Sequence, residues 1–394
     1  GARNAALGEA VERYCGNAVP KELLTSSFAR LRSAGRRAVD PRDVVLYAPR
    51  QYRTPGFPFV PMAHDLALAW VPGRDLASDE EILVPASLVY LNYFQGGHAG
   101  EPRTNFQISA GIAAGETLER AERSALEELF ERDATMIWWV SGAPAFALDL
   151  TDEPVLSPAL AEARACGLVV SFIRIPCSFG VSVVGAFIQD PARTIIAFGT
   201  ACRATIEAAA AKAFTEAVVT HTMSLELLDA GSTFWAAVDS GLLPRHPYRP
   251  YRQDRAYRNE FRDDWRELCD LRMHVQLYLD PRMQRGPCRR IGAATRAETQ
   301  RAATSLPGVD ARQVYLAQLA ARGYRAIAVD LTTSDVRAAG LSVVRVVVPG
   351  LYDTAPAAFL PLGGRRLYEE PGAQGWLPGT ISEADLDLCP LPTA

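Results

Sequence analysis

One acidic pattern occurs twice in this chain and begins a third time, and it constrains how the rest can fold. Ala6-Leu7-Gly8-Glu9-Ala10-Val11-Glu12-Arg13-Tyr14 aligns with Ala125–Asp133 (ALEELFERD), so that Glu9, Glu12 and Arg13 fall on Glu128, Glu131 and Arg132. Ala213–Val219 (AFTEAVV) repeats the opening, with Glu216 at the first acidic position and Val219 at the second. Apolar residues at three- and four-residue steps, with abundant Ala, predict a helix at each stretch. Residues three apart share a helix face, so Glu9 and Glu12 project together, and so do Glu128 and Glu131. A single pair of this kind reads as a solvated face with Arg13 or Arg132 as local partner. Two copies and a partial third favour convergence on a cation.

Around these helices, short runs rich in Val, Ile and aromatic residues predict strands at Ile82–Leu91, Leu168–Ile175, Val181–Gln189, Thr194–Ala201, Arg272–Leu279, Tyr324–Leu331 and Leu341–Val348. A further helix is predicted over Val309–Arg322. The fold class that follows is mixed α/β (α+β), with long acidic helices packed on mixed or antiparallel sheets. With 394 residues, 48% of them apolar, the chain can bury a sizeable core as one large domain or two intimate ones. Pro244–Arg258 and Pro281–Arg301, the latter carrying Arg282, Arg285, Arg289, Arg290, Arg296 and Arg301, predict exposed loops with a solvated basic face. Gly and Pro punctuate residues 370–394, which predicts an extended tail. The helical pattern is already running at Gly1, as expected of a chain that begins inside an element with residues or a domain upstream.

The balance of 41 Lys+Arg against 45 Asp+Glu leaves a net charge of -4 and no footprint for nucleic acid or an anionic membrane. No apolar run can span a bilayer and no signal peptide is visible, which predicts a cytoplasmic protein. The cysteines (Cys15, Cys166, Cys177, Cys202, Cys269, Cys288, Cys389) are scattered without a CxxC. That argues against structural zinc and fits a reducing compartment better than a disulfide framework.

Carboxylates converging from separate helices suit Mg2+, a hard cation that takes oxygen ligands and shares its shell with substrate phosphates. Neighbouring guanidinium forks match phosphate oxygens. No GxxxxGK[ST] occurs, so the implied nucleoside triphosphate site is not of Walker type.

Three stretches carry a family resemblance: Ala6–Gly16 (ALGEAVERYCG), Ser109–Asp133 (SAGIAAGETLERAERSALEELFERD) and Val343–Glu369 (VVRVVVPGLYDTAPAAFLPLGGRRLYE). They resemble the YcaO domain, and the similarity runs over nearly the whole chain. The resemblance implies a YcaO-like fold that binds ATP and Mg2+. By position it makes Glu9, Glu12, Glu128, Glu131 and Glu216 the magnesium or nucleotide contacts and sets Arg13 and Arg132 near phosphates. Ser109 and Gly111 would lie on the loop entering the second helix, where small residues let a backbone approach a ligand. It further implies ATP-dependent cyclodehydration of Cys, Ser or Thr in a ribosomally made precursor peptide to thiazoline or oxazoline. The expected partner is an E1-like or leader-peptide-recognition protein or domain, and a homodimer is plausible for the family. No side chain has to act as nucleophile, so His98, His221 and the cysteines read as structural or peripheral, although His98, beside Gly96 and Gly97, could reach a substrate groove.

The chain departs from the family pattern at three places. Ala5 and Ala6 stand where a Ser precedes the first Glu, Val218-Val219-Thr220 stand where a Gln follows the third, and the tail ends Pro390-Leu391-Pro392-Thr393-Ala394 rather than in a full Pro-x-Pro-x-Pro. Two alternatives stay open: a degenerate scaffold that binds peptide or partner without ATP turnover, and a thioamide- or amidine-forming enzyme.

Overall fold

Each long helix is bounded by residues suited to its ends. Thr117 accepts the Arg120 N–H at 3.3 Å ahead of the helix Leu118–Ser141, and Gly142, at φ +79, follows it. Thr205 accepts the Ala208 N–H at 3.2 Å ahead of Ile206–Leu228.

The computed structural model describes residues 2–284, 295–297 and 310–393. In chain order its first elements are α1 (Ala2–Gly16), β1 (Leu24–Ser27), α2 (Phe28–Ser33), α3 (Pro49–Tyr52), β2 (Ala67–Asp75), β3 (Glu81–Pro85) and β4 (Ile112–Gly115). Next come α4 (Leu118–Ser141), β5 (Ala145–Leu148), α5 (Ser157–Ala165), β6 (Val169–Arg174), β7 (Ser182–Asp190), β8 (Ile195–Arg203), α6 (Ile206–Leu228) and α7 (Thr233–Asp239). The chain continues with α8 (Arg272–Leu277), β9 (Thr295–Ala297), α9 (Ala311–Ala321), β10 (Ile327–Asp330), α10 (Ser334–Ala338), β11 (Ser342–Val347) and α11 (Arg366–Ala373).

These elements form two units. The first comprises Gly1–Asp133, Pro307–Asp353 and Pro361–Gly364. Its sheet runs β1-β2-β10-β11-β4, with β3 also on β2, and every pairing is antiparallel. Trp70, Val84 and Val343 sit at the centre of its core. Helix α1 packs on β4 and β11. Glu122, on α4 and 1% exposed, is held by Arg74 at 2.7 Å and Arg312 at 2.6 Å, so one carboxylate of this acidic helix is fully engaged in structure.

The second unit comprises Ala134–Leu306, Thr354–Leu360 and Arg365–Ala394. Its sheet runs β8-β7-β6-β5-β9, antiparallel except for the β5–β9 pair. Helix α6 covers β7 and β8 through Ala209, Ala210, Ala213 and Ala217. Gly199 of β8 makes this approach possible, because a Cβ there would strike the backbone of Ala213 and Ala217.

Several expectations are corrected. Arg272–Leu279 was expected as a strand, but Arg272–Leu277 is a helix: Met273, His274, Val275, Gln276 and Leu277 are all buried, so no one-sided periodicity marks it. The strand predicted at Ile82–Leu91 stops at Pro85, and Ala86–Leu88 turns as a short 3-10 helix. The predicted tail opens inside α11, which runs to Ala373, and its far end is buried. Val140 O accepts the Asp387 N–H at 2.9 Å, Trp139 Nε1 donates to Cys389 O at 2.6 Å, and Tyr278 Oη donates to Pro390 O at 2.6 Å. His274 Nδ1 donates to Leu391 O at 2.8 Å while Nε2 accepts the Ala357 N–H at 3.3 Å, and burial pushes its pKa down to about 4. Cys15, Cys166 and Cys269 are free thiols, but Cys389 is disulfide-bonded, where the scattered cysteines predict no cross-link. Arg285, Arg289, Arg290 and Arg301 of the predicted basic loop, with Cys288 and Val309, lie outside the described residues. Arg282 is ion-paired to Asp280 at 2.6 Å. Among the described residues, no helix is long and apolar enough to cross a membrane.

Candidate active site

The acidic helices α1 and α4 both direct a carboxylate to the start of β4. As the last strand of its sheet, β4 pairs with β11 on one side only. Glu12 Oε1 accepts the Ala114 N–H at 2.8 Å, and Glu128 Oε2 accepts the Gly111 N–H at 3.0 Å. Gly111 is required there: its φ is +86, and a Cβ would sit 2.5 Å from Val346 O.

Burial is the main cause that pushes the Glu12 carboxyl up from its ordinary 4.5 to about 7. Glu128 and Glu9 add to the rise, and the Ala114 N–H and Arg13 oppose it. Two carboxylates thus repel one another in a partly buried place. The two that meet are the second of one helix and the first of the other, and not equivalent members of the repeat.

The remaining predicted residues are placed as follows. Glu9 is 61% exposed along its side chain and pairs with Arg13 Nη2 at 2.6 Å. Glu131 is buried, and Arg132 lies between it and Glu128, at 3.5 and 3.6 Å. Both arginines therefore compensate carboxylates of their own helices. Ser109 is exposed at its side chain, and its carbonyl accepts from Arg345 Nη1 at 3.3 Å. Glu216 belongs to α6 of the second unit, where Lys212, one turn earlier, is its partner.

Sequence reasoning missed Arg345. It lies on β11 opposite Ile112, 1% exposed, and its guanidinium spans a loop. Nε donates to Val89 O at 3.0 Å, Nη2 to Ile108 O at 2.7 Å, and Nη1 also to Ala110 O. Burial pulls its pKa down to about 10, with Glu128 and Asp353 opposing the fall, so it stays charged at neutral pH. A lone Arg in the apolar strand Ser342–Val347 was the available signal, since a buried arginine needs partners.

Among the described residues, no three His, Cys, Asp or Glu side chains are grouped closely enough to form a metal cage. Two converging carboxylates without a third suit Mg2+ carried by a nucleotide, because that ion usually takes one or two protein carboxylates and completes its shell with phosphates and water. A separate cavity of about 300 Å³, lined among others by Arg74, Asp79, Glu81, Leu118 and Asp330, contains none of these acids. Leu118 is ten positions, or roughly 15 Å, along α4 from Glu128.

Comparison with known proteins gives the family. The family model for YcaO cyclodehydratase, described as ATP- and Mg2+-binding, matches residues 1–352. The chain belongs to the YcaO family, and ATP and Mg2+ are that family's cofactors. The fold is similar to that of the heterocyclase TruD, with a TM-score of 0.68 at 20% identity over 99% of this chain and 50% of that one. It is also similar to a heterocyclase solved with substrate and cofactor, with a TM-score of 0.66 at 21% identity over 98% and 47% of the two chains. A protein of Methanothermobacter thermautotrophicus, described only as uncharacterized, is 28% identical over 209 residues, 50% of this chain and 49% of its own length. The chain spans about half the length of each of these relatives.

Proposed function

We propose that this chain activates peptide backbone amides with MgATP and closes a Cys, Ser or Thr side chain onto the preceding carbonyl, giving thiazoline or oxazoline in a ribosomally made peptide. The observation that carries the reading is the convergence of Glu12 and Glu128 at the edge of β4, with Glu12 pushed up to about 7. Negative charge is gathered there beyond what the local arginines offset. When bound, MgATP supplies the phosphoryl group that turns the amide oxygen into a leaving group. Glu12 and Glu128 hold the cation. Glu9 and Glu131 add negative charge around the nucleotide, Arg13 and Arg132 turn toward its phosphates, and the backbone at Ser109 and Gly111 lets it approach.

On this reading the chain is one YcaO domain of a cytoplasmic enzyme, as a monomer or homodimer. An E1-like or leader-recognition module, upstream or on another chain, delivers the precursor peptide. Calorimetry with Mg2+ and a non-hydrolysable ATP analogue, followed by mass spectrometry of a Cys/Ser/Thr-containing peptide, tests it. E12A and E128A should each weaken nucleotide binding by about tenfold or more, the order expected for losing one charged contact. Variants that bind like the parent would sink the site assignment. Nucleotide binding with no loss of water from the peptide would leave the non-catalytic scaffold, and exchange of oxygen for sulfur would make the enzyme thioamide-forming.

A further inference from the structure

Between Val89 and Gly111 the chain makes an excursion fixed at both ends by the site. Arg345 holds the carbonyls of Val89, Ile108, Ser109 and Ala110, and Gly111 donates to Glu128. The excursion is also tied to the end of α1. Leu91 N–H donates to Gly16 O at 2.8 Å, one turn beyond Glu12, and Asn92 Nδ2 donates to Asn17 Oδ1 at 2.9 Å.

The excursion carries a locked imidazole. His98 Nδ1 lies 2.7 Å from Glu101 Oε1, and Tyr93 Oη donates to the other oxygen, Glu101 Oε2, at 2.8 Å. The His98 ring also stacks on Tyr93, with centroids 4.5 Å apart and planes at 24°. Burial, and then the bond to Glu101, push the Tyr93 hydroxyl pKa up, so that hydroxyl remains a donor. A carboxylate can only accept, so Nδ1 carries a proton, and in the neutral ring Nε2 keeps its lone pair. Nε2 makes no hydrogen bond among the described residues. Gly96, Gly97 and Gly100 flank it, and each has open space where a Cβ would stand. The surface of the loop at these glycines is open.

We propose that His98, oriented by Glu101 and Tyr93, accepts the proton of the attacking Cys, Ser or Thr side chain, an inference that rests on the amide-activating reading above. The sulfur or oxygen bonds to the carbonyl carbon as its proton passes to Nε2, and the C=O electron pair moves to oxygen. That oxygen takes the γ-phosphoryl group of ATP as ADP leaves. The C–O bond then breaks with departure of phosphate, and loss of the amide N–H proton to water completes the C=N bond. His98 returns its proton to water between turnovers.

The test uses the full chain and two synthetic peptides that differ only in carrying Gly-Cys or Gly-Ser at the cyclised step. H98Q should bind Mg2+ and the non-hydrolysable ATP analogue as the parent does. It should lose dehydration of the Ser peptide by about 10²-fold or more at every pH, the usual contribution of a positioned base. With the Cys peptide the deficit should shrink from pH 7 to 9, because a thiol ionises unaided near about 8.5 and a hydroxyl does not. E101Q should show a smaller loss, and 15N NMR of the parent should show the Nδ1-protonated ring. An unaffected H98Q, an equal deficit with both peptides at all pH values, weakened nucleotide binding in H98Q, or an Nε2-protonated ring would each overturn the role of His98. A parent that binds no nucleotide, or binds it and dehydrates neither peptide, refutes the underlying reading and the role of His98 with it.

Discussion

Replacing Glu12 by Gln separates the electrostatic cost of the site from its packing. The carboxyl stands at about 7 in the folded chain against an ordinary 4.5. Between those values the folded protein keeps a proton that the unfolded chain has released. Stability therefore falls as pH rises through this window and levels off above about 7. At about 1.36 kcal/mol per pH unit, the full displacement is worth roughly 3 kcal/mol. Glu12 is partly exposed, and screening by water brings the expected cost to roughly half of that at pH 8. Gln retains an oxygen to accept the Ala114 N–H now held at 2.8 Å, so packing and backbone pairing survive the change.

Without nucleotide, E12Q should thus be more stable than the parent at pH 8 by about 1–2 kcal/mol and indistinguishable from it at pH 4.5. With MgATP the order should reverse, because only the parent gains the stabilisation that ligand binding confers on the folded state. Denaturant melts at the two pH values, each with and without MgATP, read both differences. An E12Q protein less stable than the parent at pH 8 without nucleotide, or a difference that does not vary with pH, would refute this account of the charge at β4.

Three further outcomes follow from the same structure. R345M leaves the carbonyls of Val89, Ile108, Ser109 and Ala110 without their donor and should cost about 3 kcal/mol or more in a denaturant melt, with nucleotide binding lost alongside. G111A forces a side chain into φ +86 against Val346 O and should cost at least about 1–3 kcal/mol, measurable as a lowered melting temperature. His274 is held neutral with its pKa at about 4 against an ordinary 6.5, so its contribution is complete above pH 6.5 and lost as pH falls toward 4. That amounts to roughly 3 kcal/mol, which an acid titration of the parent should show and H274Q should lack.

The helices were legible because each exposes one face: α1, α4 and α6 all fall on the predicted acidic stretches. Strands β6, β7 and β8 were legible as runs of branched and aromatic residues between turn residues. Strand β2 was not, because Pro72 and Gly73 interrupt it and normally argue against a strand. The glycine is needed there, since a Cβ at Gly73 would meet Ile327, Val329 and Val84. Within the site, the acidic residues were visible but their grouping was not. Helical spacing speaks only of neighbours on one helix, whereas the interaction that matters is the repulsion between Glu12 of α1 and Glu128 of α4. Arg345 went unseen for a related reason, as its partners are backbone carbonyls of Val89 and residues 108–110, which no side-chain pattern encodes.

The repeat explains why two acidic helices exist, and the sheet edge explains why they act differently. The outward N–H groups of Gly111 and Ala114 need acceptors, and each takes one oxygen of a carboxylate. Glu128 has Arg132 within 3.6 Å of its other oxygen, while Oε2 of Glu12 makes no hydrogen bond among the described residues. That asymmetry is why Glu12 responds to burial so strongly: its negative charge has one backbone donor and an exposed arginine already paired to Glu9 to offset two neighbouring acids. A proton can relieve it, and so can a divalent cation. Proton and cation therefore compete for one oxygen at the end of α1, and the same charge that makes an ionised Glu12 costly near neutral pH is what would draw Mg2+ and its nucleotide to it.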